Sequence, residues 1–250
     1  MQEKLFFRDS RGNRVCGIIS ATDKNRHVII LCHGFASGKH SKTHTTLEKM
    51  LNEKGISTLR FDFFGHGESE GRLEDLTISR AVDDIMSAIA LLKKRGYSKF
   101  GLVGSSFGGA ASILAASKAK LFVLALKAPV SDFEDLAVGR FDEELLKEWK
   151  RKGIITYKQP GGLDVTLRYG FFDDMKKNNG YEAAKRIKAP TIIVHGDKDD
   201  VVSIEQSRKT AKLIKNCRLE IIKGAGHDFA KPEQFEKMVE LITGFIVEKC

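Results

Sequence analysis

KFGLVGSSFGGAASILAASKA, residues 99–119, changes character twice. Residues 99–104 form a short apolar run, the pattern of a strand buried on both faces. Residues 107–119 are dominated by small side chains and read as a closely packed helix. Between the two stand Ser105 and Ser106. A serine hydroxyl is a weak nucleophile unless a sharp, exposed turn presents it beside a base and beside donors for a developing oxyanion. The strand-to-helix pattern G-x-S-x-G makes such a turn, because glycines two before and two after the serine let strand and helix approach closely. Centred on Ser106, the pattern reads Gly104-Ser105-Ser106-Phe107-Gly108, and every position fits. Centred on Ser105, it would need glycine where Val103 and Phe107 stand. Ser106 is therefore the candidate nucleophile, and Ser105 is expected to pack against the sheet.

Outward from this stretch the chain keeps alternating. Runs at 4–9 and 14–20 flank the turn residues 11–13 and read as an antiparallel hairpin. Strand-like runs follow at 27–33, 56–62, 99–104, 121–129, 191–196 and 218–224. Ile78, Val82, Ile85, Ile89 and Leu92 recur at helical spacing, with Thr77 as N-cap and Gly96 as the stop. Further helices are expected over 107–119, near 203–215 and from Pro232. This order implies an α/β protein with a mostly parallel, eight-stranded sheet and helices on both faces. The stretch 130–188 breaks the alternation and is too long for an ordinary connection. It holds the single tryptophan, three of the four tyrosines and a Gln-Pro-Gly-Gly turn at 159–162. It is expected to be a small cap inserted into one domain spanning 1–250. Its Trp149, Tyr157, Tyr169, Phe171 and Phe172 are candidates for an apolar substrate pocket, the alternative being the cap's own core.

A base must reach Ser106, and an acid must orient that base. His227, in GAGHDF, follows a strand and occupies a small-residue loop before the last helix, where an imidazole can reach back over the sheet. His33 and His195 each precede a glycine at a strand end and are read as loop-shaping. His40 and His44 lie four apart with no third ligand nearby and are read as surface residues, not a metal site. His27 is read as structural, and His66 sits in the loop FFGHGES. The acid is sought in TIIVHGDKDDVV. Asp199 is chosen, because the apolar pair Val201-Val202 would anchor the loop and leave Asp199 aimed inward. Asp197 is expected to form a turn and Asp200 to face solvent. The N–H of Phe107, at a helix N-terminus, and the N–H of Phe35, in HGF after the strand at 27–33, are the candidate oxyanion donors.

Bulk properties narrow the partners. The 250 residues include 42 Lys and Arg against 33 Asp and Glu, a formal charge of +9. The charges are interleaved, with no block of five like charges, so neither nucleic acid nor a membrane surface is expected as a partner. No run approaches the ~20 apolar residues of a membrane span, and residues 1–10 do not read as a secretory signal. Four scattered cysteines without a CxxC pair are expected to be reduced thiols, consistent with a cytoplasmic setting. A homodimer is compatible with these features.

Taken together, HGF, RFDFFGHGES, GSSFGG, HGDKDDVV and GAGH resemble the α/β-hydrolase superfamily in order and interval, over nearly the whole chain. Within it the sequence looks most like small bacterial carboxylesterases of the cinnamoyl (feruloyl) esterase type. It departs from them at Phe107, where a glutamine is usual. The resemblance implies a Ser106–His227–Asp199 triad with Phe35 and Phe107 as oxyanion donors. It also implies a small-molecule ester as substrate and no metal or organic cofactor. Three readings follow. The first is a carboxylesterase; the second is another serine hydrolase on this scaffold, such as a peptidase, thioesterase or monoacylglycerol lipase. The third is a non-catalytic ligand-binding module of the same fold.

Overall fold

The computed structural model describes residues 2–22, 27–138, 141–158 and 163–250. The Gln-Pro-Gly-Gly stretch at 159–162 lies outside them. The chain opens with strands β1 (Gln2–Arg8) and β2 (Arg14–Ser20), paired antiparallel from Gln2 opposite Ser20 to Arg8 opposite Arg14. Then come β3 (His27–Cys32), α1 (Lys42–Glu53), β4 (Ser57–Phe61), α2 (Ile78–Lys94), β5 (Lys99–Ser105), α3 (Phe107–Ala116) and β6 (Val123–Lys127). After β6 the segment adds α4 (Phe133–Val138), α5 (Glu143–Lys152), β7 (Ile154–Lys158), β8 (Asp164–Arg168), α6 (Tyr169–Lys177) and α7 (Gly180–Ala184). The chain closes with β9 (Thr191–Gly196), α8 (Ile204–Leu213), β10 (Cys217–Ile222) and α9 (Pro232–Glu248).

Eight strands form one sheet in the order β1-β2-β4-β3-β5-β6-β9-β10. Pairing is antiparallel from β1 to β4 and parallel from β4 to β10. This is the α/β-hydrolase fold. The apolar runs explain its two covered faces, because successive side chains of a strand point to opposite sides. In β3, Val28 and Ile30 join the core on the α2 and α3 side, while Ile29 and Leu31 join the core under α1 and α9. All four are fully buried, each contributing roughly 1.5–3 kcal/mol of hydrophobic stabilisation. Thr77 caps α2 by accepting from the Arg80 N–H at 3.2 Å, and Gly96 follows its end at φ +89°. The helix expected over 107–119 stops at Ala116, where Ser117 Oγ donates to the Leu114 carbonyl and takes one of its last acceptors.

The segment between β6 and β9 builds structure of its own. Strands β7 and β8 form a separate antiparallel pair. The Trp149 indole N–H donates to the Leu167 carbonyl at 3.0 Å and fastens α5 to that pair. Arg168 pairs with Asp75 (2.7 Å) and Glu74 (2.9 Å), and Asp174 accepts from the Ser79 N–H and hydroxyl. These contacts tie the inserted segment to the loop and helix before β5.

The turn between β5 and α3 is where sequence dictates geometry most tightly. A Cβ on Gly104 would lie 2.5 Å from the Gly108 carbonyl oxygen, and one on Gly108 would lie 2.2 Å from the Cys32 carbonyl oxygen. Both obstacles are backbone, which cannot step aside cheaply. Gly108→Ala is therefore expected to destabilise the fold by about 1–3 kcal/mol, the usual range for overpacking. Urea unfolding checks this, and a variant within ~0.5 kcal/mol of wild type, the range of ordinary surface changes, would contradict it.

Candidate active site

Ser106 sits between β5 and α3 with φ 51° and ψ −113°, in the left-handed half of the map that side chains rarely enter. Hydrogen bonds fix it there. Its N–H donates to the Lys127 carbonyl at 3.0 Å, and its carbonyl accepts from Ala110 (3.1 Å) and Val130 (3.2 Å). The side chain lines a cavity of about 720 Å³ at the ends of the parallel strands. Ser105 also borders the cavity but is buried, and its hydroxyl makes no hydrogen bond among the described residues.

His227 lies in the loop between β10 and α9 and lines the same cavity. Its Nδ1 is 2.7 Å from Asp199 Oδ2. Asp199 is held from both ends. Its Oδ1 accepts from the Val201 N–H (2.9 Å) and the Val202 N–H (2.8 Å). Its Oδ2 accepts from His227 and also from His195 Nε2 at 3.0 Å. Burial pushes this carboxyl's pKa up, but the bonds from His195, His227 and Val202, with the charge of His227, outweigh it and hold the group well below the carboxylate range. Because ionised Asp199 can only accept, the bond to it is donated by Nδ1 of His227, and Nε2 is the ring nitrogen left for other partners. Asp197 instead accepts from the Gly224 N–H, and Asp200 is exposed.

His195, expected from its place before a glycine to shape a loop, is fully buried and supports Asp199. Its Nε2 faces two acceptors, Asp199 Oδ2 and the Val202 carbonyl (3.0 Å), while Nδ1 accepts from the Ser207 hydroxyl at 2.6 Å. A signal existed: His195 stands four residues before Asp199 at a strand end. His44 is a second correction. It is buried inside α1, because the helix turns that position toward the sheet, while His40 is exposed. Among the described residues no three His, Cys, Asp or Glu side chains are grouped to hold a metal.

The loop after β3 brings Gly34 beside the serine; a Cβ there would lie 3.7 Å from Ser106 Cβ. His33 fixes that loop. Its Nε2 accepts from the Phe63 N–H (3.0 Å) and its Nδ1 donates to the Gly34 carbonyl (2.7 Å). Burial, with the neighbouring His66, holds its pKa down to about 3, so it stays neutral. A trans peptide points its C=O and N–H in opposite directions. With the Gly34 carbonyl anchored, the Phe35 N–H makes no hydrogen bond among the described residues, and neither does the Phe107 N–H.

Of the five aromatic residues expected to line a pocket, Trp149, Tyr157 and Phe171 line the cavity. Tyr169 and Phe172 do not. They pack against Trp149 and each other, with ring centroids 5.5–5.8 Å apart, and so belong to the inserted segment's own core.

The comparisons agree with this architecture. A sequence model of the family described as "Serine aminopeptidase, S33" matches residues 23–158 and 160–233. Human mitochondrial palmitoyl-protein thioesterase ABHD10 is 27% identical over 227 residues, 87% of this chain and 72% of that one. The monoacylglycerol lipase of Mycolicibacterium smegmatis is 24% identical, over 89% of this chain and 88% of that one. Est1E of Butyrivibrio proteoclasticus, solved with ferulic acid, superposes with a TM-score of 0.85 over 98% of both chains at 24% identity, a likeness of fold. Among the described residues no helix is long and apolar enough to cross a membrane.

The lowered pKa of Asp199 fixes a sign. Its bonds contribute stability above the ordinary carboxyl value of 3.8, and that contribution drains away as pH falls toward the folded value. The stability gap between wild type and Asp199→Asn, measured by urea unfolding, is expected to narrow as pH falls from about 7 to about 3. A gap that stays constant over this range would contradict the carboxylate's role.

Proposed function

The chain belongs to the family described as serine aminopeptidase, S33, whose members are serine hydrolases of the α/β-hydrolase fold, and from that premise we propose that it cleaves carboxylic esters through an acyl-enzyme on Ser106. The 2.7 Å bond between Asp199 and His227, on the same cavity as Ser106, is the observation that carries the reading.

Ser106 Oγ attacks the ester carbonyl carbon while its proton passes to Nε2 of His227. Asp199 keeps Nδ1 protonated and stabilises the imidazolium that forms. The carbonyl oxygen, now an oxyanion, takes hydrogen bonds from the N–H groups of Phe35 and Phe107. His227 returns the proton to the leaving oxygen as the C–O bond breaks. Water then repeats the attack on the acyl-enzyme and frees the acid and Ser106. His195 acts as a positioning residue: it holds the acid and touches no reacting atom.

The acyl side is drawn from the apolar wall. Phe107, Phe133, Trp149, Tyr157, Leu167 and Phe171 line it, which suits an aliphatic or aromatic acyl group. A thioester is the second reading, favoured by the similarity to a palmitoyl-protein thioesterase. The same groups serve it, with sulfur as the leaving atom. A cytoplasmic setting is part of the proposal and fits four free cysteines.

Assays on p-nitrophenyl esters of graded chain length test the proposal. Ser106→Ala is expected to lower kcat by roughly 10⁶, and Asp199→Asn by about 10⁴ through the wrong imidazole tautomer. A fluorophosphonate is expected to label Ser106 and no other serine. Retention of ester turnover by Ser106→Ala would overturn the assignment.

A further inference from the structure

One wall of the cavity is polar, buried and unused by the steps above. Lys127 ends β6, and its carbonyl already holds the Ser106 N–H. Its side chain lines the cavity at only 6% exposure, with the ammonium 5.4 Å from the centre of the Phe229 ring. Among the described residues it makes no hydrogen bond and no ion pair. Burial lowers its pKa, and among the described residues the carboxylates of Asp228 and Asp199 act against this from a distance. Those of Asp199 are already filled by four donors.

His44 lines the same cavity at 1% exposure, and among the described residues neither ring nitrogen has a hydrogen-bond partner. Burial, then the charges of Lys127 and Arg60, hold its pKa down to about 3. At neutral pH it therefore offers one N–H donor. It belongs to the first turn of α1, a 12-residue helix with no acidic residue in that turn. A cation without a counter-ion and an unsatisfied ring are each unfavourable in a buried wall. An anionic oxygen beside them satisfies both.

We propose that Lys127 and His44 form a subsite for a carboxylate or phosphate carried on the leaving-group side of the substrate. The orientation rests on the serine hydrolase reading. His227 must protonate the leaving atom, and its loop borders this side of the cavity through Asp228, Ala230 and Lys231. The acyl chain faces the apolar wall. Asp228 and Asp200 also line the cavity but are exposed, where water screens them. The substrate class is thus an apolar acyl ester or thioester of an acidic alcohol or thiol.

Two matched pairs test this. One is 1-hexanoylglycerol against its 3-phosphate. The other is the S-hexanoyl thioester of 3-mercaptopropionamide against that of 3-mercaptopropionate. Wild type is expected to favour an anionic member in kcat/KM by roughly 10–100-fold, the worth of a charge-assisted hydrogen bond. Lys127→Met is expected to erase that ratio, and Lys127→Arg to keep part of it. Preference in the first pair alone assigns phosphate; preference in the second alone assigns carboxylate. Equal rates in both pairs, or a ratio unchanged by Lys127→Met, overturn the subsite. Inorganic phosphate and acetate give a readout free of turnover. An anion that raises the Tm of wild type but not of Lys127→Met supports the subsite even if Ser106 escapes fluorophosphonate labelling, in which case only the hydrolase reading has failed. No Tm shift together with no preference overturns the subsite while a labelled Ser106 leaves the hydrolase reading intact.

Discussion

A side chain at φ 51° and ψ −113° is a conformation that costs about 1–3 kcal/mol and lasts only where its surroundings leave no alternative. At Ser106 those surroundings are the ends of three adjacent parallel strands. The carbonyl of Lys127, at the end of β6, takes the serine N–H. The carbonyls after β3 press so close to α3 that residue 108 has no room for a Cβ. Ala36, Ala128 and Phe229 are the other non-glycine residues with positive φ among those described. Each adjoins a residue that lines the same cavity. Backbone strain is thus gathered at one end of the sheet, where the parallel order brings loops from distant parts of the chain together.

Two buried charges near that point are treated in opposite ways. Asp199 receives two main-chain amides and two imidazoles, so its ionised form is fully solvated by the protein. Among the described residues the Lys127 ammonium meets only the face of an aromatic ring. The first arrangement is complete without a ligand and fixes a geometry. The second is incomplete. Polar satisfaction is the rule for buried groups, so a departure beside a cavity has chemical meaning that one on a surface would lack.

The sheet was legible because a strand buried on both faces must be apolar through its middle, and β3, β5, β6 and β9 are, with polar residues standing near their ends. The turn at Ser106 was legible because the clash that forbids other residues at 104 and 108 is local to the motif. The meeting of Asp199 with His227 could be anticipated from loop chemistry, since each follows a strand at the same end of a parallel sheet. His44 was misread because its four-residue spacing from His40 says nothing about which face of α1 meets the core. Tyr169 and Phe172 were misplaced because aromatic content does not tell a pocket wall from a small core. Helix α5 was passed over although its signals stand in the sequence. Asp142 caps it, Glu143 and Glu144 open it, three basic residues close it, and Gly153 ends it at φ +73°.

The cavity has two makers. The end that holds Ser106 and His227 comes from loops after the sheet strands, while Trp149, Tyr157, Leu167 and Phe171 come from the inserted segment. The described residues of that segment meet the body through the ion pairs of Arg168, the bonds from Ser79 to Asp174, and the Phe171 ring, which packs on Phe35 and Phe107. Substitutions at Trp149, Tyr157 or Leu167 redraw the wall without touching the hydrogen bonds that hold Ser106. Over evolutionary time such a lineage can change its diet long before it changes its teeth.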